Sequence, residues 1–308
     1  MKEDALELPD QQLIENIWSE FGLNEQRIKE AVEILNEWLE QQPHLPRETD
    51  DARLERWLLR CKNSIEKTKQ VLDLYYTLRT ISPEFMTGWD TDSDWFHGIF
   101  RVMYVYPVRK LTPEGDRITI MGLFGTDGSE YEPIDLGKIC LMGLEVRTCE
   151  DYWRSDILVF DFTNITIQHV SKITLTIIKK LGILILKGYK YRLKSAHLIN
   201  VPPFAQIIIN MVKSILKPKL IERIHFHGHD LTDMYTYIPK QLLPIEYGGE
   251  GGSQAENNVR WKLKLQSYRE WFREHEKLKS DETKRPGKIL RSDDIFGFDG
   301  SFRKLELD

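Results

Sequence analysis

The sequence predicts an α/β protein in which a small all-helical domain precedes a mostly parallel sheet. Two observations carry this. Apolar residues recur three and four apart, the helical spacing, through the first 80 residues. From about residue 99 to residue 227, short β-branched or aromatic runs alternate with helical stretches, the order that builds βαβ units. A chain of 308 residues with 41% hydrophobic and 30% charged residues is long enough for a sizeable core.

The elements follow in order. Ile28, Ala31, Val32, Leu35, Trp38 and Leu39 form the first helical stripe, behind a cap at Asn24. Leu54, Trp57, Leu58 and Cys61 form the second. Ile65, Thr68, Leu72, Tyr75 and Leu78 form the third, capped by Ser64. Pro43, Pro46 and the Ser82-Pro83 pair separate these helices. Residues 99–106 and 117–124 read as strands around the turn Pro113-Glu114-Gly115-Asp116. The spacing then predicts helices over 135–150, 168–186 and 204–216, and strands over 157–162, 196–201 and 223–227. The Gly248-Gly249-Glu250-Gly251-Gly252 run reads as a flexible break. Beyond it, Trp261, Leu265, Tyr268 and Phe272 mark an amphipathic helix over 259–278. Residues 279–308 read as an extended tail with an apolar anchor at Ile295-Phe296-Gly297-Phe298. The expected domains are therefore 1–85 (helical), 86–252 (α/β) and 253–308 (C-terminal helix and tail).

Several function classes fall away. A net charge of −5 argues against nucleic-acid binding by the molecule as a whole. Cys61, Cys140 and Cys149 are odd in number and far apart, which fits neither a disulfide framework nor a zinc site. Residues 1–9 are acidic and lack the apolar core of a signal peptide. The longest apolar runs, such as residues 181–186, are too short to span a bilayer. Gly-x-Ser-x-Gly, Gly-x-Gly-x-x-Gly and phosphate-loop motifs are absent. His225-Phe226-His227 with Asp230 invites a metal, but nothing nearby completes a coordination sphere. The expectation is therefore no enzyme, no catalytic residue, no metal and no cofactor.

Two features point toward a function. Phe204, Ile207, Ile208, Ile209, Met211, Val212, Ile215 and Leu216 occupy nearly the whole circumference of one helix. Ile177, Ile178, Leu181, Ile183, Leu184, Ile185 and Leu186 do nearly the same on another. A helix apolar all round is covered on every side, either by the core or by an apolar ligand beside the sheet. The second feature is charge. Between residues 187 and 223 stand eight basic residues (Lys187, Lys190, Arg192, Lys194, Lys213, Lys217, Lys219, Arg223) and one acid, Glu222, a net charge of +7. A charge run is commonly a solvated face. A cationic rim beside exposable apolar surface also suits anionic head groups, at about 1 kcal/mol per basic residue.

Four segments resemble, in order, the CRAL-TRIO family: Asp50-Asp51-Ala52-Arg53-Leu54-Glu55-Arg56-Trp57-Leu58-Leu59-Arg60; Val159-Phe160-Asp161-Phe162; Ala196-His197-Leu198-Ile199-Asn200-Val201-Pro202; and Glu222-Arg223-Ile224-His225-Phe226-His227-Gly228 followed by Leu242-Leu243-Pro244-Ile245-Glu246-Tyr247-Gly248-Gly249. The tail is similar to that of insect members. The resemblance implies a helical N-terminal domain beside a lipid-binding domain with a mobile gate helix, here residues 204–216. It implies pocket positions Cys140, Leu144, Leu158, Phe160, Leu184, Ile185, Ala205, Ile208 and Met211. Ile177, Leu181 and Phe204 join them from the two apolar helices. It implies phosphoinositide-binding positions Lys62, Arg192, Lys194, Lys219 and Arg223. The polar contacts that hold a tocopherol hydroxyl in this family are not kept, and Leu144 stands where a serine would.

The function this implies is an intracellular carrier of a hydrophobic small molecule such as a retinoid, tocopherol or carotenoid. It would exchange cargo with membranes by docking a basic phosphoinositide-binding patch. Its partners would be that molecule and an anionic membrane surface touched peripherally, with no nucleic acid. The chain would be a monomer and cytoplasmic apart from transient membrane association. A phospholipid or phosphatidylinositol exchanger of the same fold, and an interaction scaffold that transfers nothing, are the alternatives.

Overall fold

The computed structural model describes residues 4–48 and 50–297. Helices α1 (Gln11–Glu20), α2 (Glu25–Glu40), α3 (Asp51–Arg60) and α4 (Ile65–Ile81) open the chain. Each starts where a short polar side chain accepts a backbone N–H: Asp10 from Leu13, Asn24 from Arg27, Asp50 from Arg53 and Ser64 from Lys67. Their apolar stripes meet in a core that includes Leu35, Leu54, Trp57 and Leu72.

Helices α5 (Pro83–Met86) and α6 (Asp94–Val102) lead into strand β1 (Met103–Pro107). Residues 99–102 were expected as strand and are helix. The Ser93 hydroxyl caps α6, and Phe96, Ile99 and Phe100 recur at helical spacing along its buried side, so the local signal outweighs β-propensity. The sheet continues with β2 (Arg117–Leu123), β3 (Asp156–Asp161), β4 (Leu193–Ile199) and β5 (Ile224–His227), in the order β1-β2-β3-β4-β5. Only β1 runs antiparallel to its neighbour, and the other three pairings are parallel.

Helix α7 (Pro133–Glu150) joins β2 to β3. Between β3 and β4 lie α8 (Ile167–Lys172) and α9 (Leu175–Ile183), and α9 passes into a π-helical turn, Leu184–Gly188. One continuous helix was expected here. Thr174 interrupts it by capping α9, and the π-turn shifts the phase of the last residues. A 3₁₀ turn, Pro203–Ala205, precedes α10 (Gln206–Ile215), and α11 (Pro218–Ile221) precedes β5. Helices α12 (Gln254–Ser267) and α13 (Arg269–His275) replace the single helix expected over 259–278, with the break at Tyr268. A short helix, α14 (Ser292–Phe296), ends the described chain, and its buried Phe296 packs by α9. Phe298 lies outside the described residues.

The glycine run before α12 is not a flexible break. Gly249 and Gly251 lie so close to the Leu243 and Leu242 carbonyls that a β-carbon would collide with them. Backbone bonds run from Gly249 N to Pro244 O (3.1 Å) and from Gly251 N to Leu243 O (2.8 Å). The glycines permit this tight fastening, which seats α12 against β1 and α7.

Side-chain alternation gives the sheet two different faces. Leu158 and Phe160 point one way, in register with Ala196 and Leu198. His197 points the other way, in register with Val159 and His225. There Ser195 Oγ, His197, His227 and Asp233 form a hydrogen-bonded chain with links of 2.9, 2.9 and 2.8 Å. Burial pushes His197 down to about 3. His227 of the His-x-His pattern is thus engaged in packing, and no metal-competent cluster occurs among the described residues.

Candidate functional site

A basic cleft of about 570 Å³ opens where the N-terminal helices meet the leading ends of β3 and β4. Ten basic side chains and a single acid, Glu20, line it, so its potential is strongly positive. Lys62, Arg192, Lys194, Lys219 and Arg223, the five expected positions, all border it. The backbone aims two of its lysines. Lys62 (φ 55°) follows the end of α3, and Lys190 (φ 49°) follows the π-turn. Both occupy the left-handed region, a strained conformation for a β-carbon residue that is held only by its surroundings. Asn63, also left-handed, helps hold the first of these turns by donating its Nδ2 to the Phe21 carbonyl at 3.2 Å.

Not every cation in the cleft is equally available. Lys194 and Arg154 both reach the buried Asp116 carboxylate, at 2.6 and 2.9 Å. Burial alone would raise the Asp116 carboxyl, but Arg154, Lys194 and Ser155 hold it low. Arg192 lies over the Phe21 ring at 4.5 Å and 3.9 Å from Glu20. The Arg223 guanidinium donates to the Leu193 carbonyl. Lys62 and Lys219 are exposed.

Beside the cleft lies an apolar cavity of about 200 Å³. Its floor is the sheet face carrying Val105, Met121, Leu158 and Phe160, and its walls are α7, α9 and Trp261 of α12. Of the expected pocket positions, Cys140, Leu144, Leu158, Phe160, Leu181 and Ile185 border it. Ile177, Leu184, Phe204, Ala205, Ile208 and Met211 do not. The π-turn sends Ile185 to the cavity but buries Leu184 toward α4. Helix α10 packs on α9 with Ile209 and Ile215 buried, leaving Ile208 and Met211 half-buried outside the cavity and Phe204 40% exposed. Ala205 is buried in the 3₁₀ turn. Burial holds the Cys140 thiol up at about 12, so it lines the cavity as a neutral, packing side chain.

The periodicity gave no sign of Trp261 as a cavity residue. Its helical stripe marks the buried face of α12 and says nothing about what that face meets. Arg60, Lys67 and Arg154 in the cleft were missed for a similar reason, since they come from segments far from the +7 run. Tyr191 lines both the cleft and the cavity.

Residues 101–249, which hold the sheet, both sides of the cavity and most of the cleft, match the family model described as "CRAL/TRIO domain". This stretch is similar to a CRAL/TRIO domain. Ahead of it, residues 24–96 match the model described as "Pinta-like, UBA domain". The chain is similar to curated proteins named alpha-tocopherol transfer protein-like and clavesin. The Homo sapiens alpha-tocopherol transfer protein-like chain is 24% identical over 212 residues, 68% of this chain and 61% of that protein. Clavesin-2 of Rattus norvegicus is 23% identical over 203 residues, 65% of this chain and 62% of that protein. The match thus spans about three fifths of the length of these relatives. The solved structure titled "Crystal structure of Sfh5" aligns with a TM-score of 0.46 at 14% identity, covering 85% of this chain and 98% of that one. No helix among the described residues is long and apolar enough to cross a membrane.

Proposed function

We propose that this protein carries a hydrophobic small molecule and exchanges it with membranes, docking through the basic cleft on anionic, phosphoinositide-type head groups. The observation that carries this is the adjacency of an apolar cavity and a strongly basic cleft that share one wall. The names of the curated relatives support the carrier half of the reading.

The energetics suit exchange rather than storage. Enclosing about 400 Å² of apolar ligand surface is worth on the order of 10 kcal/mol at about 25 cal/mol/Å². A bilayer offers the cargo a similar environment, so the net transfer free energy is small and opening controls the rate. The cavity of about 200 Å³ is below the roughly 300–1,000 Å³ of small-molecule sites. Loading therefore requires α9 and α10 to separate. The exposed Phe204 (40%), Ile207 (52%) and Ile167 (69%) sit at the α10 end and on α8 beside it, where a bilayer would meet them. Anion binding in the cleft, which shares Tyr191 with the cavity wall, would favour the open state and couple docking to release.

Two measurements test this. Lipid co-purified with the protein is extracted and identified by mass spectrometry, and cargo transfer is timed to vesicles with and without phosphoinositide. A single-chain apolar lipid is expected, with faster transfer to phosphoinositide vesicles that Lys62→Ala/Lys219→Ala abolishes. A diacyl phospholipid would turn the reading to phospholipid exchange. No lipid, and no thermal shift with any lipid, would leave an interaction scaffold.

A further inference from the structure

The wall between cleft and cavity is itself chemically specific. Tyr191 lines the cleft, the apolar cavity and a small void of about 10 Å³ between them, and it is the only residue common to all three linings. Its N–H donates to the Ile185 carbonyl at 3.2 Å, which fixes the ring to the π-turn. Arg147, a buried charge, also borders the cavity. All the other cavity residues apart from Thr119 are apolar, so Arg147 and Tyr191 make one end of the cavity polar.

The buried charge around Arg147 does not balance. Arg147 pairs with Asp151 (3.1 Å) and Asp156 (2.8 Å), and Arg117 pairs with Asp151 (2.6 Å). Arg60, also buried, borders the cleft and the small void rather than the cavity; it donates to the Tyr189 carbonyl and lies over the Trp153 ring at 4.4 Å, with Arg147 over the same ring at 4.1 Å. Three buried guanidiniums thus face two buried carboxylates. The neighbouring cluster of Arg53 and Arg79 with Glu48 and Glu145 is balanced and supplies no spare anion. Burial lowers Arg60 to about 10; Asp156 opposes the drop, while Arg147 and Arg53 add to it. Its Nη2 has no hydrogen-bond partner. An unbalanced buried charge is costly, and an anion bound beside it removes the cost.

We infer that the cargo is a long-chain carboxylate: its tail fills the apolar cavity, and its acid group lies against the Tyr191 hydroxyl and the Arg147 guanidinium. This deepens the carrier reading and rests on it. The phenol is the discriminating group. Its hydroxyl can donate a charge-assisted bond to a carboxylate. An ester or a hydrocarbon end leaves the surplus positive charge unanswered.

The test uses the delipidated full chain with cis-parinaric acid and its methyl ester, two fluorescent probes of the same length. The acid is expected to bind at least about tenfold more tightly than the ester, since bonds to a charged group contribute about 1.5–3 kcal/mol. Tyr191→Phe, which keeps the ring, should reduce that preference by about threefold or more. Lys62→Ala/Lys219→Ala should leave it within about twofold, because those lysines lie in the cleft. Equal affinity for acid and ester in the unaltered chain overturns the inference while the carrier reading stands. A preference lost in the lysine variant, or fully kept in Tyr191→Phe, also overturns it, by assigning the acid to the cleft or away from the phenol. If neither probe binds, the inference and the carrier reading fail together.

Discussion

Positive charge does opposite work in two regions of this chain. In the interior, Arg53 and Arg79 converge on Glu145 at 3.2 and 2.9 Å, and the Tyr75 and Tyr189 hydroxyls donate to the same carboxylate at 2.5 and 2.6 Å. Burial alone would raise Glu145, but the surrounding cations hold it at about 2. This hub joins α3, α4, α7 and the loop after the π-turn, and His275 of α13 completes it, 2.8 Å from the Tyr75 hydroxyl. In the cleft, ten cations meet one lining acid, and Lys62 and Lys219 extend into solvent. The hub spends its charges on each other and so specifies one packing. The cleft commits several of its charges but keeps Lys62 and Lys219 exposed to solvent. Loss of a partner should therefore unfold the first and leave the second folded but unable to dock.

The largest effect that would break this contrast is in the hub. Glu145→Ala strands the buried Arg79 guanidinium and leaves Arg53 with Glu48 alone, and should cost about 3–5 kcal/mol, read as a drop in the urea midpoint. A cost below about 1 kcal/mol would mean that the arginines find other partners and that the hub specifies nothing. Acid sharpens the same contrast. Burial lowers His275 to about 2 and His197 to about 3, below the unfolded value of about 6.5, so the unfolded chain binds more protons in that window. Their contribution is fully present above about pH 6.5 and is lost as pH falls below it, at up to about 1.4 kcal/mol per pH unit per histidine. Stability measured from pH 7 to 4.5 should fall by a few kcal/mol, and His275→Gln should flatten the slope. Vesicle attachment should show no such step while the protein stays folded, because neither histidine lines the cleft. The smallest effect belongs to the cleft. At about 1 kcal/mol per basic residue, Lys62→Ala/Lys219→Ala should weaken attachment to anionic vesicles by about 10–30-fold and reduce its salt dependence. Its unfolding midpoint should stay within about 0.5 kcal/mol of the unaltered chain. A large loss of stability instead would show these lysines to be structural.

The parts of this architecture legible in the sequence are those written locally. Caps at Asn24 and Ser64 and the stripes behind them needed only spacing. The cleft was visible because most of its cations crowd between residues 187 and 223, and the resemblance added Lys62. The cavity was half legible. Alternation brings Leu158 and Phe160 to its floor, but the π-turn redirects Leu184, and the docking of α10 on α9 decides which side of each helix is covered. No periodicity encodes either. The glycine run misled because glycine signals freedom and close approach equally, and here the Leu242 and Leu243 carbonyls fill the space. Arg147 and Tyr191 were illegible as a pair, since their meaning lies in a charge imbalance between residues far apart in sequence.

The lateness of α12 and α13 has a consequence for how the protein is made. His275 reaches back 200 residues to Tyr75 and 222 to Arg53, and Trp261 closes a cavity whose floor begins at Val105. During synthesis the sheet and its apolar face are complete well before these helices leave the ribosome. At about 5–20 residues per second, the face stays uncapped for seconds after β5 has emerged. In that interval the nascent chain offers an open apolar slot flanked by cations, so a passing lipid can be trapped as the last helices dock. First loading can therefore precede any opening of the gate, and protein made in a lipid-poor translation system should emerge correctly folded yet need a slower, membrane-assisted step to fill.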